Sequence, residues 1–164
     1  MSKEVKSTKS EKPSRRRGAR PTMADLIAAN RKSVFDGLRA AGVVQCEVRY
    51  EGSGDDGWPE ETTFLGPGYK VIQLKPIPKV SRYEINKFYD PKVQAQWCKT
   101  AKPREFPLDE AAANFAMDAV EQNFDGWENN EGGYGQVIFN VEKDTVIVEH
   151  DDYYLETEHS EVSL

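Results

Sequence analysis

The sequence predicts an α+β fold in which two amphipathic helices pack on an antiparallel sheet of about four strands. Apolar residues recur at helical spacing in two separate segments, residues 22–42 and 107–124. Each of these segments precedes stretches in which apolar and polar residues alternate, as they do in half-buried strands. The predicted order is therefore α-β-β-(irregular)-α-β-β, with the apolar stripes of both helices facing one side of the sheet.

The first predicted helix begins at Thr22, because Thr22 and Asp25 have the spacing of a capping box, and it ends at Gly42. Alternation from Val44 to Tyr50 predicts the first strand. Glycines at 52, 54 and 57 end that strand, and further strands are expected around residues 62–65 and 70–74. These assignments give the first half of the fold its helix and its strand pair.

Five prolines punctuate residues 75–107, where aromatic side chains are interleaved with lysine and arginine. This segment is predicted to be irregular, with one short helix near residues 91–99. The second long helix is expected from Pro107 or Leu108 to about Phe124. A strand hairpin then runs over residues 136–142 and 145–149, across Lys143 and Asp144.

Charge and composition divide the chain into a basic N-terminal tail (residues 1–20), a single α+β domain (21–155, with the irregular insert at about 67–106) and an acidic tail (156–164). Residues 1–32 carry ten basic and three acidic side chains, whereas residues 107–164 carry one and fifteen. The composition of the basic tail predicts disorder, whereas the acidic C-terminal stretch is either a loose tail or an acidic edge. No apolar run reaches the roughly 18 residues of a membrane helix, and no signal-peptide core is present, so a cytoplasmic protein with no membrane contact is expected.

Two acidic, glycine-rich segments, residues 51–61 and 125–135, are the candidate binding loops. The predicted binding residues are Asp55, Asp56, Trp127, Glu128, Asn130, Glu131 and Tyr134. Trp127, Tyr134, Tyr153 and Tyr154 are of the types that anchor protein interfaces. If both loops lie at one end of the sheet, their carboxylates can converge, which leaves open a metal-dependent hydrolase using Mg²⁺ or Ca²⁺. The same loops are also explained by turn conformations alone, with Trp127 closing the edge of the core.

Other chemistry has less support in the sequence. Arg15, Arg16, Arg17 and Arg20 in the tail leave nucleic-acid binding open as a further alternative. His150 is interpreted as a solvated residue at a strand end. Cys46 and Cys98 have no metal or redox spacing, no phosphate-binding motif occurs, and no cofactor is expected.

The chain resembles a family of small uncharacterised bacterial proteins through two motifs. One is a G-x-G-D-x-G strand end, here Gly52, Gly54, Asp55 and Gly57. The other is G-W-E-N-N-x-G-x-x-G before a strand hairpin, here residues 126–135. The likeness covers roughly residues 22–66 and 107–155, and it implies a shared domain of unknown function without a mechanism. The sequence therefore predicts a non-enzymatic accessory protein that docks a macromolecular partner, most readily a protein, through its acidic loop surface.

Overall fold

A computed structural model describes residues 21–90, 95–99, 102–129 and 131–163, with the side chains of 86–90 and 95–99 excepted. Two α-helices occur in this part of the chain, α1 (Met23–Ala40) and α2 (Leu108–Asn123), together with a 3-10 turn over Pro67–Tyr69. Its strands are β1 (Gln45–Ser53), β2 (Asp56–Gly66), β3 (Lys70–Ile72), β4 (Lys79–Arg82), β5 (Asn86–Asp90), β6 (Ala95–Lys99), β7 (Arg104–Pro107), β8 (Gly133–Asn140) and β9 (Thr145–Asp152).

The main sheet has five antiparallel strands in the order β3-β2-β1-β8-β9. Strand β1 is central, so it links the hairpin formed by β1 and β2 to the hairpin formed by β8 and β9. The inner face of the sheet carries Cys46, Val48 and Tyr50 of β1 beside Val137 and Phe139 of β8, all nearly inaccessible to solvent. Both helices supply buried side chains to the same core cluster, so the helices cover the inner face.

The α+β class and the one-sided packing of two helices are therefore confirmed. Local signals place α1 correctly: the Thr22 hydroxyl accepts a hydrogen bond from the Asp25 amide, and the Asp25 carboxylate accepts one from the Thr22 amide. Gly42 then ends the helix region with a φ of 72°. Arg31 and Arg39 of α1 both pair with Asp144 in the β8–β9 turn.

The predicted strand count and the predicted irregular segment need correction. Residues 67–106 contain β3, β4, β5 and β6, and β7 begins at Arg104. Residues 95–99 form a strand paired with β5, so the short helix predicted near 91–99 is wrong for those residues, while 91–94 lie outside the description. Strand β7 lies 25 residues after β4 begins, and this non-local pairing leaves no signal in a short sequence window.

The β4–β7 pair is fixed to the helices by buried polar contacts. Asn30 of α1, itself 1 % exposed, donates to the carbonyl oxygen of Tyr83 at 2.9 Å and accepts from its amide at 2.7 Å. Arg82 pairs with Asp118 of α2 at 2.6 Å. These bonds order the segment after β3 even though its sequence is rich in proline. The basic tail predicted for residues 1–20 lies outside the described residues.

Candidate functional site

The two glycine-rich segments meet at one end of the main sheet. Residues Gly54 and Asp55 form the two-residue turn between β1 and β2, with φ values of 62° and 69°. Positive φ at both positions is the geometry that matches the twist of a two-stranded hairpin. The Asp55 amide donates to the carbonyl oxygen of Glu128, at 3.1 Å, in the loop after α2. Both predicted binding loops therefore lie together.

Glycines make room for Trp127 beneath this junction. Gly57, Gly52 and Gly133 stand directly opposite one another on β2, β1 and β8, and they form a row on the inner face. A Cβ atom at Gly52 or Gly57 would lie 2.6 Å or 2.4 Å from the indole. Gly132 comes so close to β1 that its Cβ would lie 1.8 Å from the carbonyl oxygen of Gly52. The motif glycines thus let the loop after α2 lie flat on the sheet.

A buried polar network lies beside Trp127. The Tyr50 hydroxyl donates to the Glu149 carbonyl oxygen at 3.1 Å and lies 2.9 Å from Nδ1 of His150. Nε2 of His150 lies 2.9 Å from a carboxylate oxygen of Asp152. Burial, reinforced by the charges of Asp151 and Asp152, raises the pKa of Tyr50 to about 12, so this hydroxyl stays neutral.

His150 itself differs from expectation. Its side chain is 3 % exposed and stacks on Tyr50, with Phe124 and Trp127 also in contact range. The expectation of a solvated strand-end residue is wrong, because alternation along β9 turns His150 to the inner face with Val146 and Val148. Gly133 and Gly135 on the neighbouring strand leave the space that the rings of His150 and Tyr50 occupy.

The opposite, outer face of the same sheet end carries exposed aromatic and acidic side chains. Trp58, Glu51, Tyr134 and Asp151 are cross-strand neighbours on β2, β1, β8 and β9. Tyr153 follows β9: its ring lies 5.1 Å from that of Tyr134 and its hydroxyl donates to Glu51 at 3.0 Å. Trp58 is 47 % exposed and Tyr134 is 44 % exposed. These five residues are called the aromatic patch below.

The outer face of the main sheet is the side that carries the aromatic patch and lies opposite the helices, and it is predominantly acidic. Its strands place these carboxylates on it: Glu47, Glu51, Asp56, Glu61, Glu149 and Asp151. Among the described residues of the five strands, Arg49 is the one basic side chain on that face, and it already pairs with Glu61 at 3.5 Å. Ile147, 52 % exposed, adds an apolar spot. The face therefore favours cationic ligands that also carry apolar surface.

The predicted binding residues divide between the two sides of the sheet. Asp55 and Asp56 are exposed at the β1–β2 turn, and Tyr134 belongs to the aromatic patch. Trp127 is only 6 % exposed and serves the internal packing of the loop. Glu128 is partly buried, Glu131 lines a depression of about 490 Å³ with Asp152, and Asn130 lies outside the described residues. In the part of the chain that the structure describes, no three His, Cys, Asp or Glu side chains group as metal ligands do.

Sequence reasoning did not select Trp58 or Glu51. A signal was available: a two-residue Gly-Asp turn at 54 and 55 pairs Ser53 with Asp56 and places Trp58 opposite Glu51. The neighbourhood of Tyr134 had no such signal, because it depends on β8 pairing with β1, some 80 residues away in sequence.

Comparison with known proteins identifies a family match over residues 26–164, to the family of unknown function DUF6878. The chain belongs to this family. No curated protein and no solved structure matches it. The match includes the middle segment 67–106, which the sequence resemblance did not cover. Helices long and apolar enough to cross a membrane are absent from the described residues.

Proposed function

We propose that this protein acts by binding rather than by catalysis, and that it docks a basic protein partner on the outer face of its main sheet. The observation that supports this most directly is the combination of six carboxylates, one paired arginine and three exposed aromatic rings on one face of the sheet. Aromatic anchors in an acidic surround give both contact area and charge selection toward a cationic surface.

The inner side of the sheet supports this role by holding the face in shape. Trp127 packs on Gly52 and Gly57 and holds the loop after α2 against β1 and β2, while the Tyr50–His150–Asp152 network joins β1 to β9. The Tyr153 amide donates a hydrogen bond to the carbonyl oxygen of Gly132 at 2.9 Å, and this bond positions Tyr153 beside Tyr134. A surface built on ordered strands loses little conformational entropy when it binds.

Fluorescence anisotropy of labelled octalysine at low ionic strength tests the proposal. The double variant Glu51→Gln with Glu149→Gln removes two charges from the outer face. It should weaken binding by about two- to thirtyfold, the effect of losing two exposed ion pairs. The control is Glu156→Gln with Glu158→Gln, which makes the same charge change in the exposed segment after β9.

Equal weakening by both double variants would mean that only the total charge of the protein attracts the peptide, and the proposal of a docking face would be withdrawn. Tight binding of duplex DNA that is lost when Arg15, Arg16, Arg17 and Arg20 become glutamine would instead favour nucleic-acid binding through the N-terminal tail.

A further inference from the structure

We infer that the aromatic patch is the subsite for one arginine side chain of the basic protein partner, inserted between Trp58 and Tyr134 above Glu51. This inference rests on the proposed function and assigns its specificity to particular residues. The first support is position. Glu51 stands directly opposite Trp58 on one side and Tyr134 on the other, so all three side chains share the outer face in one cross-strand row.

The spacing suits a planar cation. Neighbouring strands lie about 4.8 Å apart, so the backbones that carry Trp58 and Tyr134 are separated by about 10 Å across β1. A flat guanidinium group can lie in that interval in contact with an aromatic side chain and the carboxylate beneath it. Arginine stacks on aromatic faces and offers several N–H donors in one plane, whereas lysine offers a compact ammonium group.

The charges within the row are all negative, and the nearest basic side chain on this face is Arg49, which lines one depression with Tyr134 and Asp151. Glu51 and Asp151 are its two carboxylates, and none of its four residues is basic. Glu51 accepts one hydrogen bond from the Tyr153 hydroxyl, and a carboxylate has room for several donors. Arg49 belongs to the next row, where Glu61 is its partner. An incoming cation would therefore meet two carboxylates on a row without a basic residue of its own.

Trp58 and Tyr134 contribute aromatic surface that is about half exposed. An exposed tryptophan or tyrosine attracts a cation held over its ring, and this contribution is worth a few-fold in affinity. The bond between Tyr153 and Glu51 and the contact between Tyr153 and Tyr134 order two sides of the subsite in the free protein. These contacts position Glu51, Tyr134 and Tyr153 in the free protein.

The test compares octalysine with the same peptide carrying arginine at its fourth position, again by fluorescence anisotropy on the full chain. The arginine-containing peptide should bind about two- to fivefold more tightly than octalysine. Trp58→Ala and Tyr134→Ala should each reduce this ratio toward one. Because both rings belong to the docking face, each variant should also weaken octalysine binding, so the ratio between the two peptides is the quantity compared. Tyr154→Ala is the matched control, since Tyr154 is an exposed tyrosine outside the aromatic patch, and it should keep the ratio.

The outcomes separate the two proposals. If octalysine binds through the outer-face carboxylates but arginine brings no gain, the docking function stands and the arginine subsite is overturned. A gain that survives Trp58→Ala and Tyr134→Ala overturns it as well. If neither peptide binds, both proposals fail. Peptide binding that emerges only after Arg15, Arg16 and Arg17 become glutamine would identify the chain's own N-terminal segment, in place of a separate protein, as the occupant of the outer face. A molecular mass that rises with protein concentration would identify a second copy of the chain as the occupant instead.

Discussion

Replacing Gly57 with alanine should destabilise the protein through one identifiable contact. The new Cβ would lie 2.4 Å from the indole of Trp127, about 1.1 Å inside the roughly 3.5 Å of ordinary carbon contact. The indole has little freedom to retreat, because it is 6 % exposed and its ring lies edge-on against Tyr50 at 5.1 Å. Overpacking of this kind costs about 1–3 kcal/mol, and alanine regains roughly 0.5–1 kcal/mol from the unfolded chain. The net loss expected is about 1–2 kcal/mol.

Urea unfolding followed by far-ultraviolet circular dichroism measures this loss. The decisive comparison repeats Gly57→Ala in a Trp127→Phe background, where the far edge of the indole is missing. There the alanine should be neutral or slightly stabilising. Gly54→Ala is the control, since its Cβ meets nothing within 4 Å and its φ is 62°. Backbone strain should make it cost about 1–2 kcal/mol equally in both backgrounds. An unchanged cost of Gly57→Ala with phenylalanine at 127 would refute the glycine-row explanation.

Three further predictions concern buried or paired groups. Tyr50→Phe should cost about 1–3 kcal/mol in urea unfolding, because it leaves His150 Nδ1 without its partner. Since the pKa of Tyr50 is raised to about 12, the unfolded chain loses this proton first, so wild-type stability should fall from about pH 10 to pH 12 more steeply than that of Tyr50→Phe. Burial likewise raises the pKa of the Cys46 thiol. In a Cys98→Ser variant, Cys46 should therefore react with a disulfide reagent at pH 8 only after the protein unfolds. Fast labelling of Cys46 in the native protein would contradict its burial. Hydrogen bonds from two α1 arginines hold the pKa of Asp144 below its usual value. Stability from this pairing should be present above about pH 4 and vanish at lower pH, so Asp144→Asn should converge with wild type in acid and differ at pH 7.

Local physical chemistry made several elements predictable. The capping box at Thr22 and the left-handed Gly42 set α1 within a residue or two, because both act through hydrogen bonds inside one turn. Alternation of apolar residues likewise located β1 and the β8–β9 hairpin. The middle of the chain was not predictable in this way, because β4 is stabilised by pairing with β7 and by Asn30 of α1, both distant in sequence.

For the candidate site, the sequence located the glycine-rich segments but not which of their aromatic residues face the core and which face solvent. It marked Trp127 and Tyr134 alike as aromatic residues in one loop. The structure places the first inside, against Gly52 and Gly57, and the second outside, beside Glu51. A single residue shift along a strand exchanges the two faces of a sheet, so this distinction depends on the register of β8 against β1.

By itself, therefore, the sequence determined the α+β class, the helix ends, the acidic character of the second half and the positions of the unusual loops. Each of these follows from periodicity, capping or charge within a short window. Only the tertiary structure decided that the two loops share one end of the sheet, that Gly52 and Gly57 align beneath Trp127, and that Trp58 and Tyr134 flank Glu51. The physical reason is that β1 lies between β2 and β8, and strand order arises from how the whole chain buries its apolar surface.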